Sequence, residues 1–334
     1  MQTKQSFYAA REKLMHANNI AICGHAFPDW DSIWSCLWLG SALEDSGKDI
    51  KYFSPTLPEE YFWFLGATEK FHTEWFDPSA YDCIVLLDTS NQQRSMFNWY
   101  DMNEYADRII IIDHHTDNSL EGAHKIIYTT LSSTCEIVYK VLNEVQPDLI
   151  NKTVATFLLL GILTDTGNYL YWCNIRHALS TSCALIDHWA PKERLTDNLF
   201  RSQSFESVQY AWKLIQRSQY NESKLILWTR YSHQELEKVS IDPKSIERWF
   251  SMIQSIKHDW IYILFKVIEG HNLLKVSLRT QQDTINLSTL ARVLWWGWHK
   301  KASGISLPLE DDYQRQMITI LEILESNINH ATIS

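Results

Sequence analysis

Short, continuous apolar runs alternate with helical segments in the first half of this 334-residue chain. Runs of this length without polar alternation predict parallel strands that are covered on both faces. They occupy residues 20–24, 50–54, 83–88 and 108–113. Helical patterns lie between and after them, notably at residues 32–46, 133–144 and 151–163. This alternation predicts an α/β fold with a doubly wound, mostly parallel sheet.

The second half of the chain has its own pattern of strands followed by helices. Because the chain exceeds the usual size of one domain, we expect two domains. Strand-like runs occupy 224–230, 261–269 and 273–280, and helical segments lie near 286–294 and 311–327. We therefore predict a first domain over residues 1–195, a helical connector over 196–222 and a second, smaller α/β domain over 223–334.

Composition limits the partners and the compartment. The formal net charge of −10 argues against a broad basic surface for long nucleic acid, but a small anionic substrate is compatible with a local metal cluster. Six cysteines without a C-x-x-C pair indicate a reducing compartment. The first residues lack an apolar signal core, and no apolar run approaches the length of a membrane span. We expect a cytoplasmic protein with no membrane partner. The sequence does not decide whether the chain forms a homodimer.

Acidic and histidine side chains stand where the apolar runs end. Three follow the first strand, one follows the third, three follow the fourth, and one closes an apolar helix. They are His25, Asp29, Asp31, Asp88, Asp113, His114, His115 and Asp165. The carboxyl ends of parallel strands share one crevice, so we expect these side chains to meet there. One such residue alone is more often a helix cap or a structural histidine, but the joint pattern predicts a site for divalent ions such as Mn²⁺.

These residues fall in four short motifs, and a fifth lies near the end of the chain. The four are His25-x-x-Pro28-Asp29-x-Asp31-Ser32, Asp88-Thr89-Ser90, Asp113-His114-His115 and Thr164-Asp165-Thr166-Gly167. In order and spacing they resemble the motifs of the DHH phosphoesterases. Residues 295–304 resemble the glycine-rich signature of the DHH-associated domain. Length and domain content are similar to the family branch that combines oligoribonuclease and 3′-phosphoadenosine-5′-phosphate phosphatase activity.

The resemblance implies a metal-dependent hydrolase that holds two divalent ions, with Mn²⁺ favoured. His25, Asp29 and Asp88 would bind one ion. Asp31, Asp88, His114 and Asp165 would bind the second, with Asp88 shared. His115 would face the substrate phosphate, Asp113 would orient the histidines, and a hydroxide between the ions would attack the phosphate.

In the same way, the second domain would be the DHH-associated, substrate-binding domain. Arg279, Gly297, His299 and Gly304 would bind the nucleotide side of the substrate. For Arg279, an ordinary surface charge at a strand end is an equally good interpretation. The resemblance implies hydrolysis of short oligoribonucleotides, of 3′-phosphoadenosine-5′-phosphate, or of both, and no long nucleic acid.

Tryptophan stands where related sequences commonly have glycine. The chain has 15 Trp and only 10 Gly, and glycine usually makes up about 7% of a protein. Six of these tryptophans fall inside the motifs: Trp30, Trp34, Trp38, Trp295, Trp296 and Trp298. We predict that the gene uses UGA for glycine and that the sequence reads it as Trp. The remaining nine, such as Trp63, Trp189 and Trp212, then share this origin.

Two other functions stay open. A manganese inorganic pyrophosphatase would share the first motifs, but such enzymes typically lack the ending that residues 295–304 resemble. If the tryptophans are genuine, an aromatic-rich relative with a blocked pocket would be a catalytically impaired nucleotide-binding module. The sequence does not decide between 3′-phosphoadenosine-5′-phosphate, very short RNA and a linear dinucleotide as the natural substrate.

Overall fold

The computed structural model forms two units, Met1–Leu199 and Phe200–Ser334, which are described separately. The predicted connector, residues 196–222, contributes to both units, since the division falls after Leu199. The structure describes residues 2–57, 68–74, 76–145, 147–170, 174–201, 204–241, 243, 246, 250, 260–282, 284–294 and 302–328.

A parallel sheet of six strands forms the centre of the first unit. The strands are β1 (Asn19–Cys23), β2 (Asp49–Phe53), β3 (Phe71–His72), β4 (Cys83–Leu87), β5 (Ile109–Asp113) and β6 (His124–Ile127). Their order is β3-β2-β1-β4-β5-β6, and every neighbouring pair is parallel. The predicted fold class is confirmed. The order reverses between β1 and β4, so a crevice opens beyond the carboxyl ends of these two strands.

Helices cover one face of this sheet. They are α1 (Gln2–His16), α2 (Trp30–Asp45), α3 (Thr134–Val145), α4 (Lys152–Asp165), α5 (Ile175–Asp187) and α6 (Lys192–Phe200). Apolar side chains of α1 to α4 pack on alternate residues of the strands, for example Ile20 and Ile22 of β1. The sequence predicted these strands because β4 and β5 are buried along their whole length and therefore consist of continuous apolar runs. β3 and β6 were not predicted, since two and four residues give little periodic signal.

The other face of the sheet packs on aromatic side chains from short segments. Phe53, Phe76, Tyr81 and Phe97 form this layer together with alternate residues of β4 and β5. The segments contain 3-10 helical turns at Pro78–Ala80, Gln92–Arg94 and Met102–Arg108. These turns are too short to predict from periodicity, yet one of them carries a residue of the candidate site, Arg94.

The second unit is a smaller mixed sheet with helices, as predicted. Its strands are β7 (Gln219–Asn221), β8 (Ile226–Ser232), β9 (Ile261–Ile268), β10 (Leu273–Thr280) and β11 (Ala302–Pro308). The order is β11-β10-β9-β8-β7, and only β8 and β9 pair in parallel. The helices of the described residues are α7 (Phe205–Gln216), α8 (His233–Glu237), α9 (Leu287–Arg292) and α10 (Tyr313–Asn327). The central strand β9 is buried at every position.

Within the described residues, no helix combines the length and the apolar character that a membrane span requires. The four cysteines Cys23, Cys36, Cys83 and Cys135 are free and buried, and Cys183 is free and exposed. Cys173 lies outside the described residues.

Tryptophans of α2 are accommodated, but at a cost. The rings of Trp30, Trp34 and Trp38 stack along the helix, and the Trp34 ring centroid lies 4.2 Å from that of Phe157. The indole N–H groups of Trp34 and Trp38 are buried without a hydrogen-bond partner in the described part of the chain. A buried indole N–H normally finds an acceptor. The predicted glycines at these positions would remove both unsatisfied donors.

Trp189 follows the last turn of α5 in a left-handed backbone conformation, with φ at 68°. The Trp189 N–H donates to Ile186 O, and the Ala190 N–H donates to Leu185 O. This pair of bonds is the helix ending in which glycine is strongly preferred, because a side chain is strained at positive φ. The indole itself is 79% exposed and contributes little burial. Trp63, Trp75, Trp172, Trp249, Trp295, Trp296 and Trp298 lie outside the described residues.

We expect Trp189→Gly to raise the free energy of unfolding by about 1 kcal/mol, since it relieves a left-handed backbone without losing buried area. Urea denaturation of the two proteins measures this change. The matched control is Trp99→Gly, because Trp99 is 88% exposed and has no positive φ. That variant should gain nothing, and an equal gain at both positions would contradict the backbone argument.

Candidate metal centre

The loop after β1 brings three of the predicted residues to the end of the sheet. His25 and Asp31 are buried, with 2% and 1% of their surfaces exposed. Asp29 is the N-cap of α2, where its carboxylate accepts the Ser32 N–H at 3.1 Å. His25 Nε2 lies 3.9 Å from Asp29 Oδ1 and 3.4 Å from Asp88 Oδ2. Asp29 therefore caps a helix and also faces the predicted ligand cluster.

Asp88 occupies the centre of the cluster and has an unusual backbone. It directly follows β4 with φ at 54°, and its N–H donates to Ile112 O at 3.0 Å. This left-handed conformation is costly for a residue with a side chain and is often found at functional sites. It leaves Asp88 Oδ2 beside His25 and Asp88 Oδ1 at 3.5 Å from His114 Nε2. The two oxygens of one carboxylate thus face two different histidines.

The residues after β5 divide into two roles. His114 Nε2 lies 3.4 Å from Asp165 Oδ2 at the end of α4. Asp113 is fully buried, and its Oδ1 lies 2.7 Å from His115 Nδ1 while its Oδ2 accepts a hydrogen bond from Asn118 Nδ2 at 2.7 Å. Because partners within the protein occupy both oxygens, Asp113 orients His115. Asn118 was not predicted.

Ligand atoms of these side chains lie in groups tight enough to hold ions. Within each group the atoms lie within 4.8 Å of one another. The groups are His25, Asp29 and Asp88; Asp31, His114 and Asp165; and Asp88, His114 and His115. The structure therefore brings together the predicted residues of the first unit, which span positions 25 to 165.

The predicted substrate residues belong to the second unit. Arg279 lies at the end of β10 opposite Ala302, and Gly304 of β11 pairs with Ser277. The Arg279 side chain donates to Leu278 O at 2.9 Å. Gly297 and His299 lie outside the described residues.

The electrostatics of the cluster favour cations. Burial raises the pKa of Asp31 well above its usual value, and the neighbouring Asp88 and Asp29 carboxylates raise it further. Burial also raises the pKa of Asp88, but hydrogen bonding to His25 and the charges of the three histidines hold it below the ordinary value overall. Two adjacent carboxylates thus differ in proton affinity, as expected when like charges share one site. Divalent ions bound among these oxygen and imidazole donors would remove this conflict.

The two adjacent histidines titrate differently. Burial and the neighbouring His115 lower the pKa of His114, so its neutral ring is available as a ligand. Burial also disfavours the charged form of His115, but the Asp113 carboxylate raises the pKa of His115 to about 9 overall. His115 is therefore a cation and a hydrogen-bond donor at neutral pH. The roles of His114 as a metal ligand and of His115 as a substrate-facing donor stay predictions.

Arg94 is a site residue that the sequence did not reveal. Its Nη2 lies 2.7 Å from His25 Nδ1 and donates to Ala26 O at 3.0 Å. Burial lowers the pKa of Arg94 to about 10, which still leaves it charged. Its charge faces the carboxylates, Asp29 foremost. The only sequence signal was an arginine six positions after Asp88 in an otherwise polar turn. This cation offsets part of the acidic charge and supports the His25 loop.

Residues 19–162 match the N-terminal domain of the DHH family. The match contains every predicted metal residue except Asp165, which follows three positions later. Two curated relatives carry the name bifunctional oligoribonuclease and PAP phosphatase NrnA. The protein of Bacillus subtilis is 22% identical over 89% of this chain and 92% of its own length. The protein of Thermus thermophilus is 24% identical over 91% of this chain and 90% of its own length.

A solved structure shares the fold over the full length. It is an exopolyphosphatase-related protein from Bacteroides fragilis, with a TM-score of 0.79, 21% identity and 98% coverage of each chain. At this identity the likeness shows the fold alone. The family match and the two curated relatives together indicate a hydrolase that acts on phosphoester bonds.

We expect Mn²⁺ binding to release protons, because Asp31 holds its proton above the usual carboxyl range and must lose it to become a ligand. The apparent affinity should therefore rise with pH through the raised pKa of Asp31 and level off above it. Isothermal titration calorimetry in two buffers of different ionisation enthalpy measures the release, which should be about one proton per chain below that plateau. An affinity that does not change with pH, with no proton release, would contradict the proposed charge conflict.

Proposed function

We propose that this chain, whose residues 19–162 match the N-terminal domain of the DHH family, is a two-metal phosphoesterase. Its substrates would be short oligoribonucleotides, 3′-phosphoadenosine-5′-phosphate, or both. The observation that carries the proposal is the Asp88 carboxylate. Its Oδ2 lies 3.4 Å from His25 Nε2 and its Oδ1 lies 3.5 Å from His114 Nε2, so each oxygen belongs to a different ligand group. A carboxylate in this position suits a bridging ligand.

Each ion would take its own set of side chains around this shared residue. His25, Asp29 and Asp88 would hold the first, and Asp31, Asp88, His114 and Asp165 the second. Bound divalent ions would supply an activated water and neutralise charge on the phosphoryl group. Mn²⁺ is the preferred candidate because the set combines carboxylate oxygens with neutral imidazoles. Asp88 is buried and Asp29 is half exposed, so the set would be reachable from the side of Asp29.

His115 would act on the substrate. Asp113 fixes its ring through the 2.7 Å contact with Nδ1, and Nε2 would donate a hydrogen bond to a phosphate oxygen. The Asp113 carboxylate raises the pKa of His115, which favours the charged form of this donor. A positioned cationic donor is worth most where negative charge develops during the reaction. Asn118 would help by holding the second oxygen of Asp113.

The proposal of a small substrate rests on charge and on the relatives. A chain with a net charge of −10 offers little to hold a long phosphate backbone. The relatives over most of the chain are named for action on oligoribonucleotides and PAP. We assign the nucleotide side of the substrate to Arg279, Gly297, His299 and Gly304, on the basis of their sequence motifs.

Asp88→Asn should abolish hydrolysis of a dinucleotide and of 3′-phosphoadenosine-5′-phosphate. We expect a loss of about 1,000-fold or more, because metal charge stabilisation is worth several kcal/mol and tenfold corresponds to about 1.4 kcal/mol. Steady-state assays should include inorganic pyrophosphate and an RNA of roughly thirty nucleotides, both expected to be poor substrates.

The matched control is Asp82→Asn at the other end of β4. Asp82 is exposed and accepts the backbone N–H groups of Asn18 and Asn19, away from the ligand groups. This variant should keep full activity. Substantial turnover by Asp88→Asn, or preferred cleavage of pyrophosphate, would reject the proposed function.

We further propose that glycine is the functional residue at the six motif tryptophans. Trp30 lies between Asp29 and Asp31 at the first turn of α2, so its backbone directs two of the predicted ligands. Replacing Trp30, Trp34, Trp38, Trp295, Trp296 and Trp298 by glycine should raise kcat/KM for a dinucleotide by at least about tenfold, because glycine allows close backbone approach to a phosphate. Equal activity of the two proteins would remove this functional argument for recoding and leave the composition, the unsatisfied indoles of α2 and the left-handed backbone of Trp189 in its favour.

A further inference from the structure

Thr134, the first residue of α3, contacts two of the predicted ligands at once. It is fully buried beside the cluster. Its hydroxyl donates to Asp88 Oδ1 at 3.0 Å, and its backbone N–H donates to Asp31 Oδ2 at 2.6 Å. The next N–H, from Cys135, donates to Asp31 Oδ1 at 2.8 Å.

We infer that Thr134 is a positioning residue of the metal centre, which fixes Asp88 and Asp31 relative to each other. The inference rests on the proposed two-metal function. Asp88 belongs to both predicted ligand sets, and Asp31 belongs to the second. One residue that holds both carboxylates thereby sets the distance and orientation between the shared ligand and a ligand of one ion.

Asp88 needs such an anchor because its own backbone leaves the strand. After β4 it turns to a φ of 54°, and its N–H donates to Ile112 O of β5. The Thr134 hydroxyl occupies one lone pair of Asp88 Oδ1. A carboxylate oxygen has a second lone pair, which stays available on the side of His114. The hydrogen bond thus orients the carboxylate without removing it as a ligand.

Asp31 is anchored through the start of α3. Each of its oxygens accepts one backbone N–H from the first turn, and the positive end of the helix dipole favours its negative charge. These contacts offset part of the burial cost that raises its pKa. The α4 backbone also passes close by. A Cβ at Gly161 would lie 2.4 Å from Cys135 Sγ and 3.0 Å from Asp31 Oδ1, so only glycine permits this approach.

The turn that carries Thr134 is itself held in place. The buried Glu136 carboxylate accepts hydrogen bonds from the Ser132 N–H and hydroxyl, both at 3.0 Å. It also accepts one from the Thr181 hydroxyl of α5 at 3.3 Å. The Glu136 N–H donates to Ser133 Oγ at 3.1 Å. This network fixes the start of α3, so that Thr134 acts from a rigid support.

The test is Mn²⁺ binding to metal-free protein, measured by isothermal titration calorimetry. Thr134→Val keeps the shape and the backbone N–H but removes the hydroxyl. We expect it to raise the Mn²⁺ dissociation constant by about 10- to 100-fold, the usual effect of losing a hydrogen bond to a metal ligand. Thr134→Ser restores the hydroxyl and should return the affinity close to that of the wild type. The Mn²⁺ concentration that gives half-maximal activity should shift in the same order.

The matched control is Thr229→Val in β8 of the second unit. Its hydroxyl is also buried and bonded, but to Leu214 O rather than to a ligand or to the network that supports Thr134. We expect its Mn²⁺ affinity to equal that of the wild type, which separates positioning from a general loss of packing. Should Thr134→Val not fold, as judged by circular dichroism, Thr134→Ala is titrated in its place.

Three results would overturn the inference. Wild-type affinity in the folded variant that lacks the hydroxyl would show that Thr134 does not position the ligands, while the proposed function would stand. An equal loss in Thr134→Ser and Thr134→Val would assign the effect to packing. If the wild-type chain itself binds no Mn²⁺, both the inference and the proposed function fail.

Discussion

Repulsion among carboxylates at the end of the first sheet is the constraint on which the site depends. Asp31 and Asp88 are both almost fully buried, and Asp29 lies close to them. Without compensating cations, such a group stays ionised only at a high cost in free energy. The raised pKa of Asp31 expresses this conflict, whereas the neighbouring histidines hold the pKa of Asp88 below its ordinary value. The arrangement is explained if its normal state includes divalent ions.

The fold offsets the same repulsion with groups of its own. The reversal of strand order between β1 and β4 brings the loops after these strands together. The first turn of α3 supplies two N–H groups to Asp31, and Thr134 adds a hydroxyl to Asp88. Arg94 adds a buried positive charge beside His25. Backbone dipoles and one guanidinium hold the carboxylates in place, and the remaining negative charge would favour bound cations.

Sequence reasoning found the residues whose placement follows from strand ends. Buried strands appear in the sequence as continuous apolar runs. His25, Asp88 and the run Asp113-His114-His115 were predicted because they stand at the ends of such runs. Arg94 and Thr134 were not predicted. Arg94 lies in a short 3-10 turn, and Thr134 contacts Asp88 and Asp31, which lie 46 and 103 positions earlier in the chain.

The glycine deficit is a different kind of signal. It gains a physical meaning at Trp189, where the backbone has the positive φ that favours glycine.

Anomalous diffraction from crystals grown with Mn²⁺ tests the central claim most directly, because it locates the ions independently of turnover. The account predicts two peaks in the first unit. One should lie among His25, Asp29 and Asp88, and the other among Asp31, Asp88, His114 and Asp165, with one oxygen of Asp88 facing each. A single ion, or peaks that do not contact Asp88, would contradict a shared two-metal centre.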